Sequence, residues 1–127
     1  MMKTEVLIID DDPGVLFYHE LMVIESGLSE NPMTFNSAEN ALYYINSKRF
    51  EETQFLIFLD LNMPRVSGWD LLDTLTRGNF KNIAQVIIVT SSLSQSDKVK
   101  AKDYKVVKSF WEKPMTEKDC KSLLGPF

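Results

Sequence analysis

The sequence predicts a doubly wound α/β domain with five parallel strands and five helices. Three observations point there. Short apolar, β-branched runs recur along the chain, segments with helical spacing separate them, and the runs stop at residues that can carry chemistry: Asp10-Asp11, Asp60, Thr90 and Lys113.

Val6-Leu7-Ile8-Ile9 reads as a buried parallel strand halted by Asp10, Asp11, Asp12 and Pro13. Pro13 suits a first helical turn capped by Asp12, and Phe17, Leu21, Ile24 and Leu28 recur at helical spacing until the chain reaches Gly27. Met33-Thr34-Phe35 makes a second, weaker strand. Asn36 or Ser37 can then cap a helix with Ala38, Ala41, Leu42 and Ile45 on one side. Phe55-Leu56-Ile57-Phe58-Leu59 is the strongest strand signal and ends at Asp60; a loop with Pro64 and Gly68 follows, then a helix around Leu71, Leu72 and Leu75. Val86-Ile87-Ile88-Val89 ends at Thr90, and the Ser91 to Gln95 stretch opens a lysine-rich helix. Phe110-Trp111 forms the fifth strand before Lys113-Pro114, and Thr116 caps a last helix through Cys120, Leu123 and Leu124.

At 127 residues the chain is read as one domain, 1–127, with a single core and no output domain. A net charge of −4 argues against direct nucleic-acid binding. No apolar run has the roughly 18 residues needed to cross a bilayer and no signal-peptide pattern opens the chain, so a cytoplasmic protein without membrane contact is expected. Cys120 is the only cysteine and is read as a small apolar helix residue. Eight of the 14 basic residues are lysines in the last third, including Lys98, Lys102 and Lys105, a solvated helix face or a docking surface for an acidic partner.

In open parallel sheets, sites form beyond the carboxyl ends of the strands, where strand order reverses. That rule brings Asp10, Asp11, Asp60, Thr90 and Lys113 together. Carboxylates gathered within a few ångströms share protons or hold a cation. Hard oxygen ligands suit Mg²⁺, which takes one or two carboxylates, waters and a phosphate oxygen. Thr90 offers a hydroxyl and Lys113 an ammonium to a phosphoryl group, and Asp60 can act as the nucleophile that forms an acyl phosphate. Taken singly, a paired Asp before Pro is a helix cap and a Thr after a strand a turn former. Their joint placement at successive strand ends favours a site.

Ile8-Ile9-Asp10-Asp11-Asp12-Pro13, Leu59-Asp60-Leu61-Asn62-Met63-Pro64 with Gly68, Val89-Thr90-Ser91 and Lys113-Pro114 resemble the response-regulator receiver family of two-component signalling, over essentially the whole chain. The resemblance implies a flavodoxin-like sheet of order 2-1-3-4-5 and a stand-alone receiver. It implies that Asp60 accepts a phosphoryl group from a histidine kinase or histidine phosphotransfer protein. Asp10, Asp11, Asp60 and the main-chain carbonyl of Asn62 would bind Mg²⁺, with Thr90 and Lys113 contacting the phosphoryl group. Phe110 would be the switch aromatic, and the fourth helix, fifth strand and fifth helix the face that meets a downstream protein. Asn62 and Ser92 occupy positions where the family varies its dephosphorylation rate.

The chain departs from the family in one place: Tyr104-Lys105-Val106-Val107-Lys108-Ser109 replaces the usual Gly-Ala turn before the fifth strand. His19-Glu20-Leu21 begins like the phosphoaccepting box of histidine kinases, but Met22-Val23-Ile24 does not continue it. His19 is therefore read as a surface or half-buried helix residue. A Mg²⁺-dependent phosphohydrolase of the haloacid-dehalogenase type is the competing enzyme reading. It requires a second aspartate two residues after the nucleophile, where this chain has Asn62. A phosphorylation-independent interaction module is the third reading. A self-phosphorylating switch without substrate turnover remains the expectation.

Overall fold

Side chains alternate across a strand, so the near-continuous apolar runs of this chain can bury both faces of a sheet only if helices cover both. The computed structural model describes residues 3–48, 52–78, 83–91 and 94–124. Its strands are β1 (Lys3–Ile9), β2 (Met33–Phe35), β3 (Thr53–Leu59), β4 (Ala84–Thr90) and β5 (Val107–Glu112). Between and after them run α1 (Pro13–Ser26), α2 (Ala38–Lys48), α3 (Gly68–Arg77), α4 (Gln95–Ala101) and α5 (Glu117–Lys121). A 3-10 turn at Ser122–Leu124 carries the last two leucines, where the sequence predicts continued helix. The strands pair in parallel in the order β2-β1-β3-β4-β5, as expected.

Alternation divides the core in two. Leu7, Ile9, Ile57, Leu59, Val86 and Ile88 face α2, α3 and α4, where Ala41, Ile45, Leu71, Leu72, Leu75 and Ala101 meet them. Val6, Ile8, Phe58, Ile87 and Val89 face the other way, against Val23 of α1 and Cys120 of α5. Cys120 is fully buried, in keeping with its reading as a small apolar residue.

The predicted caps form. Asp12 accepts from the amides of Gly14 and Val15, Ser37 from Asn40, and Thr116 from Asp119 in a reciprocal capping box. Ser37, rather than Asn36, is therefore the side chain that caps α2.

The buried face of α1 differs from the sequence reading. Phe17, Leu21 and Ile24 are exposed, and the stripe turned inward is Leu16, His19, Val23 and Ser26. The reason is that α1 is apolar nearly all round, with Val15, Leu16, Tyr18, Met22 and Val23 beside the three expected residues, so periodicity alone does not single out an arc. The inward stripe contains two polar residues, each satisfied by a main-chain group: the Ser26 hydroxyl donates to the Val23 carbonyl, and His19 accepts a bond from another element described below.

The loop after β3 is fixed by a backbone contact that only glycine permits. The Gly68 amide donates to the Leu61 carbonyl, and a Cβ on Gly68 would lie 2.5 Å from the Asp60 carbonyl oxygen and 2.8 Å from Leu61 Cα. α3 thus starts against the main chain that carries Asp60. Gly27, by contrast, closes α1 at φ 82° with open space around its Cα. Gly68→Ala is accordingly expected to lower the unfolding free energy by at least about 2 kcal/mol, more than the roughly 1 kcal/mol expected for Gly27→Ala. Urea unfolding of the two variants checks the ranking, and equal losses would contradict it.

Candidate functional site

Parallel register delivers the acids to one place. Ile9 of β1 lies opposite Leu59 of β3, so Asp10 and Asp60 leave adjacent strands side by side, at the point where the strand order reverses. The Asp60 amide donates to the Ile9 carbonyl and the Asp10 amide to the Phe35 carbonyl, which extends the sheet bonding one residue beyond β1 and β3. Asp10 and Asp60 are 2% and 4% exposed, while Asp11 faces solvent. One donor oxygen from each of the three lies within 4.8 Å of the others.

Lys113 reaches the same point from the far side of β4. Its amide donates to the Thr90 carbonyl at 2.9 Å, which fixes the chain leaving β5 beside the end of β4. Its ammonium lies 2.6 Å from Asp10 Oδ2 and 3.4 Å from Asp60 Oδ1. Thr90 is fully buried at the last position of β4. Asn62 lies in the loop after β3, and its main-chain amide bonds the Asp60 carboxylate. The fold therefore gathers Asp10, Asp11, Asp60 and Lys113 and places Thr90 and Asn62 beside them. Ser92 lies outside the described residues.

The electrostatics follow from crowding. Burial, and then the Asp10 carboxylate, push the Asp60 pKa up; Lys113 and the Asn62 amide offset part of this. Burial acts against the Lys113 charge, but the hydrogen bond and charge of Asp10, joined by those of Asp60, outweigh it and hold the ammonium above its ordinary pKa. One lysine thus partly compensates two buried carboxylates, and the exposed Asp11 adds further negative charge beside them. Three hard oxygen donors, two buried and one at the surface, suit an octahedral divalent cation that keeps several waters, so the residues fit Mg²⁺.

Two hollows flank the acids, one bounded by Gly14, His19, Ser91 and Lys113, the other by Asp11, Pro13 and Asn36. Phe110 is half-buried three residues before Lys113. It packs with the α2, α3 and α4 side of the core and lines a groove with Lys98, Lys102 and Lys108.

His19 departs from its sequence reading as a surface or half-buried residue: it is 2% exposed. Its Nε2 accepts from the Met115 amide at 2.9 Å, and Met115 stands two residues beyond Lys113. The signal in the sequence is a polar residue within a helical stripe spaced 16, 19, 23, 26, which an apolar count passes over. Burial lowers its pKa from 6.5 to about 4, with the Asp10 charge opposing this and Lys113 reinforcing it.

The unfolded chain therefore binds a proton at His19 in a range where the folded one does not. This contribution to stability is complete above pH 6.5 and declines as pH falls toward 4, by roughly 3 kcal/mol across the range. In His19→Gln the decline should be shallower by that amount. Urea unfolding at pH 7 and pH 4.5 tests it, and parallel curves for the two proteins would contradict it.

The chain matches the model of the response regulator receiver domain over residues 6–124. A two component response regulator from Cytophaga hutchinsonii is similar in structure at 28% identity and a TM-score of 0.87, with 98% of this chain and 96% of that chain covered. A response regulator receiver protein from Dyadobacter fermentans follows at 24% and 0.82, covering 95% and 94%. The chemotaxis protein CheY4 from Vibrio cholerae aligns at 20% and 0.70, covering 98% and 97%. The last two bear on fold alone. None of the curated proteins matches. Among the described residues no helix is long and apolar enough to cross a membrane. With the family model spanning nearly the whole chain and the five-stranded order in place, the chain belongs to the response regulator receiver family, the signalling-switch domain of two-component systems.

Proposed function

We propose that this receiver accepts a phosphoryl group on Asp60 from the phosphohistidine of a histidine kinase or histidine phosphotransfer protein. The observation that supports this most is the Lys113 ammonium set 2.6 Å from Asp10 and 3.4 Å from Asp60, within a cluster of three carboxylates. An Asp60 carboxylate oxygen attacks phosphorus, a P–O bond forms, the P–N bond to the donor imidazole breaks, and the imidazole leaves with a proton from solvent. Mg²⁺, held by Asp10, Asp11, Asp60 and the main-chain carbonyl of Asn62, would supply positive charge to the phosphoryl oxygens. Lys113 contributes its ammonium and Thr90 its hydroxyl to the same oxygens. The chain turns over no substrate in this reading; it forms and loses its own acyl phosphate.

The acyl phosphate carries a charge of about −2 where the carboxylate carried −1, with three new acceptor oxygens; it draws Lys113 and Thr90 toward the phosphoryl group and shifts the loop after β4, with Phe110 following into the space beside α4. The downstream protein then reads α4, β5 and α5. Lys98, Lys102 and Lys105 on that side favour an acidic partner.

Incubation with acetyl phosphate and Mg²⁺ followed by intact-mass measurement is expected to add one phosphoryl group to the wild type and none to Asp60→Asn; equal gain in both would remove Asp60 as the acceptor. Replacing Lys98, Lys102 and Lys105 together by glutamate should weaken capture of the downstream protein about tenfold at moderate salt. Unchanged affinity in a binding titration would rule out the lysine surface.

A further inference from the structure

The turn from β5 to α5 carries Lys113, and its main-chain donors have three different partners. The Lys113 amide goes to the Thr90 carbonyl on β4, the Met115 amide to His19 Nε2 on α1, and the Thr116 amide to the Asp119 carboxylate of its own capping box. Pro114 has no amide hydrogen to give. Of these bonds, only the one to His19 ties the turn to α1, and it joins residues 96 positions apart. Met115 is itself fully buried, so without this acceptor its amide would lie in the core unpaired.

The neighbouring space makes this bond consequential. On the α1 side the turn borders a hollow bounded by Gly14, Val15, Tyr18, His19, Ser91, Lys113 and Pro114; the Met115 side chain is anchored in the core with Val23, and on the hollow's side the imidazole holds the Met115 amide. The imidazole is suited to the task because burial keeps it neutral, with a pKa of about 4, and leaves Nε2 as an acceptor at neutral pH. The Lys113 ammonium already stands 3.4 Å from Asp60, close to the limit of an ion pair, so a displacement of about 1 Å at the turn breaks that contact.

We propose that His19 is a positioning residue for phosphoryl transfer: by accepting the Met115 amide it holds the turn in place so that the Lys113 ammonium stays between Asp10 and Asp60. The inference rests on the reading of Asp60 as the phosphoryl acceptor. His19 holds the turn through its bond to the Met115 amide and does not itself contact the transferring group.

The test compares initial rates of phosphoryl gain from acetyl phosphate at saturating Mg²⁺ and pH 7.5. The proteins are the wild type, His19→Leu, His19→Gln, Lys113→Ala and the His19→Leu/Lys113→Ala double variant. The leucine variant should react roughly tenfold more slowly, because it removes the acceptor and frees the turn. Glutamine, whose Oε1 reaches the position of Nε2, should recover most of the rate. In the Lys113→Ala background the leucine substitution should change the rate by no more than about twofold, since its effect passes through Lys113. Should His19→Leu fail to fold in urea titrations, His19→Met fills similar volume without a strong acceptor and serves the same comparisons.

A leucine variant as fast as the wild type overturns the inference, as does an equal loss in both backgrounds, which would mark a structural effect unrelated to the lysine. If the wild type takes up no phosphoryl group, the acceptor reading fails and this inference with it. If the wild type reacts and the leucine variant matches it, only the inference fails.

Discussion

Two buried carboxylates side by side are tolerable only near positive charge, and in this chain that charge is the Lys113 ammonium. Asp10 and Asp60 leave adjacent parallel strands, so the sheet that stabilises the domain also forces the acids together. The cost appears as the raised pKa of Asp60, from burial and from Asp10. A single lysine beside two buried acids, with Asp11 completing a group of three, leaves negative charge uncompensated. That excess is what a divalent cation would neutralise, and it makes the position of Lys113 the setting on which the site depends.

That position is fixed from several directions. β4 holds the Lys113 amide through Thr90, α1 holds Met115 through His19, and α5 begins in a capping box at Thr116. The loop bearing Asp60 is held by Gly68, whose missing side chain lets α3 start against the strand end. The site is therefore supported mostly by backbone contacts between elements distant in sequence.

Much of this was legible in the sequence because apolar runs ending in polar residues are a local signal. β1, β3 and β4 occur where their runs predict them, and the rule for parallel sheets brings Asp10, Asp60, Thr90 and Lys113 to one edge. The face of α1 was not legible, since Phe17, Leu21 and Ile24 satisfy the same helical spacing as the true stripe and nothing local ranks the two arcs. The His19 bond was not legible either, because its partner is a main-chain amide on another element. The segment without glycine before β5 departs from the family pattern, and side-chain contacts hold it in place. The Tyr104 hydroxyl donates to Asp73 at 2.7 Å, which pushes the phenol pKa up to about 12. The Tyr104 ring packs 5.9 Å from that of Trp69, and Lys100 sits 4.3 Å over the Trp69 ring. The end of α4 is thus fastened to α3 by side chains from both helices and the turn after α4, in place of a tight small-residue turn.

The central claim is that the acids at the switch point form one cation site beside the Lys113 ammonium. A crystal structure determined with Mn²⁺ in place of Mg²⁺ tests it most directly, because anomalous scattering locates the ion independently of any assumed chemistry. One strong peak is expected about 2.2 Å from carboxylate oxygens of that cluster, with waters filling the remaining octahedral positions. Manganese bound only elsewhere, with the three carboxylates turned away from one another, would contradict it.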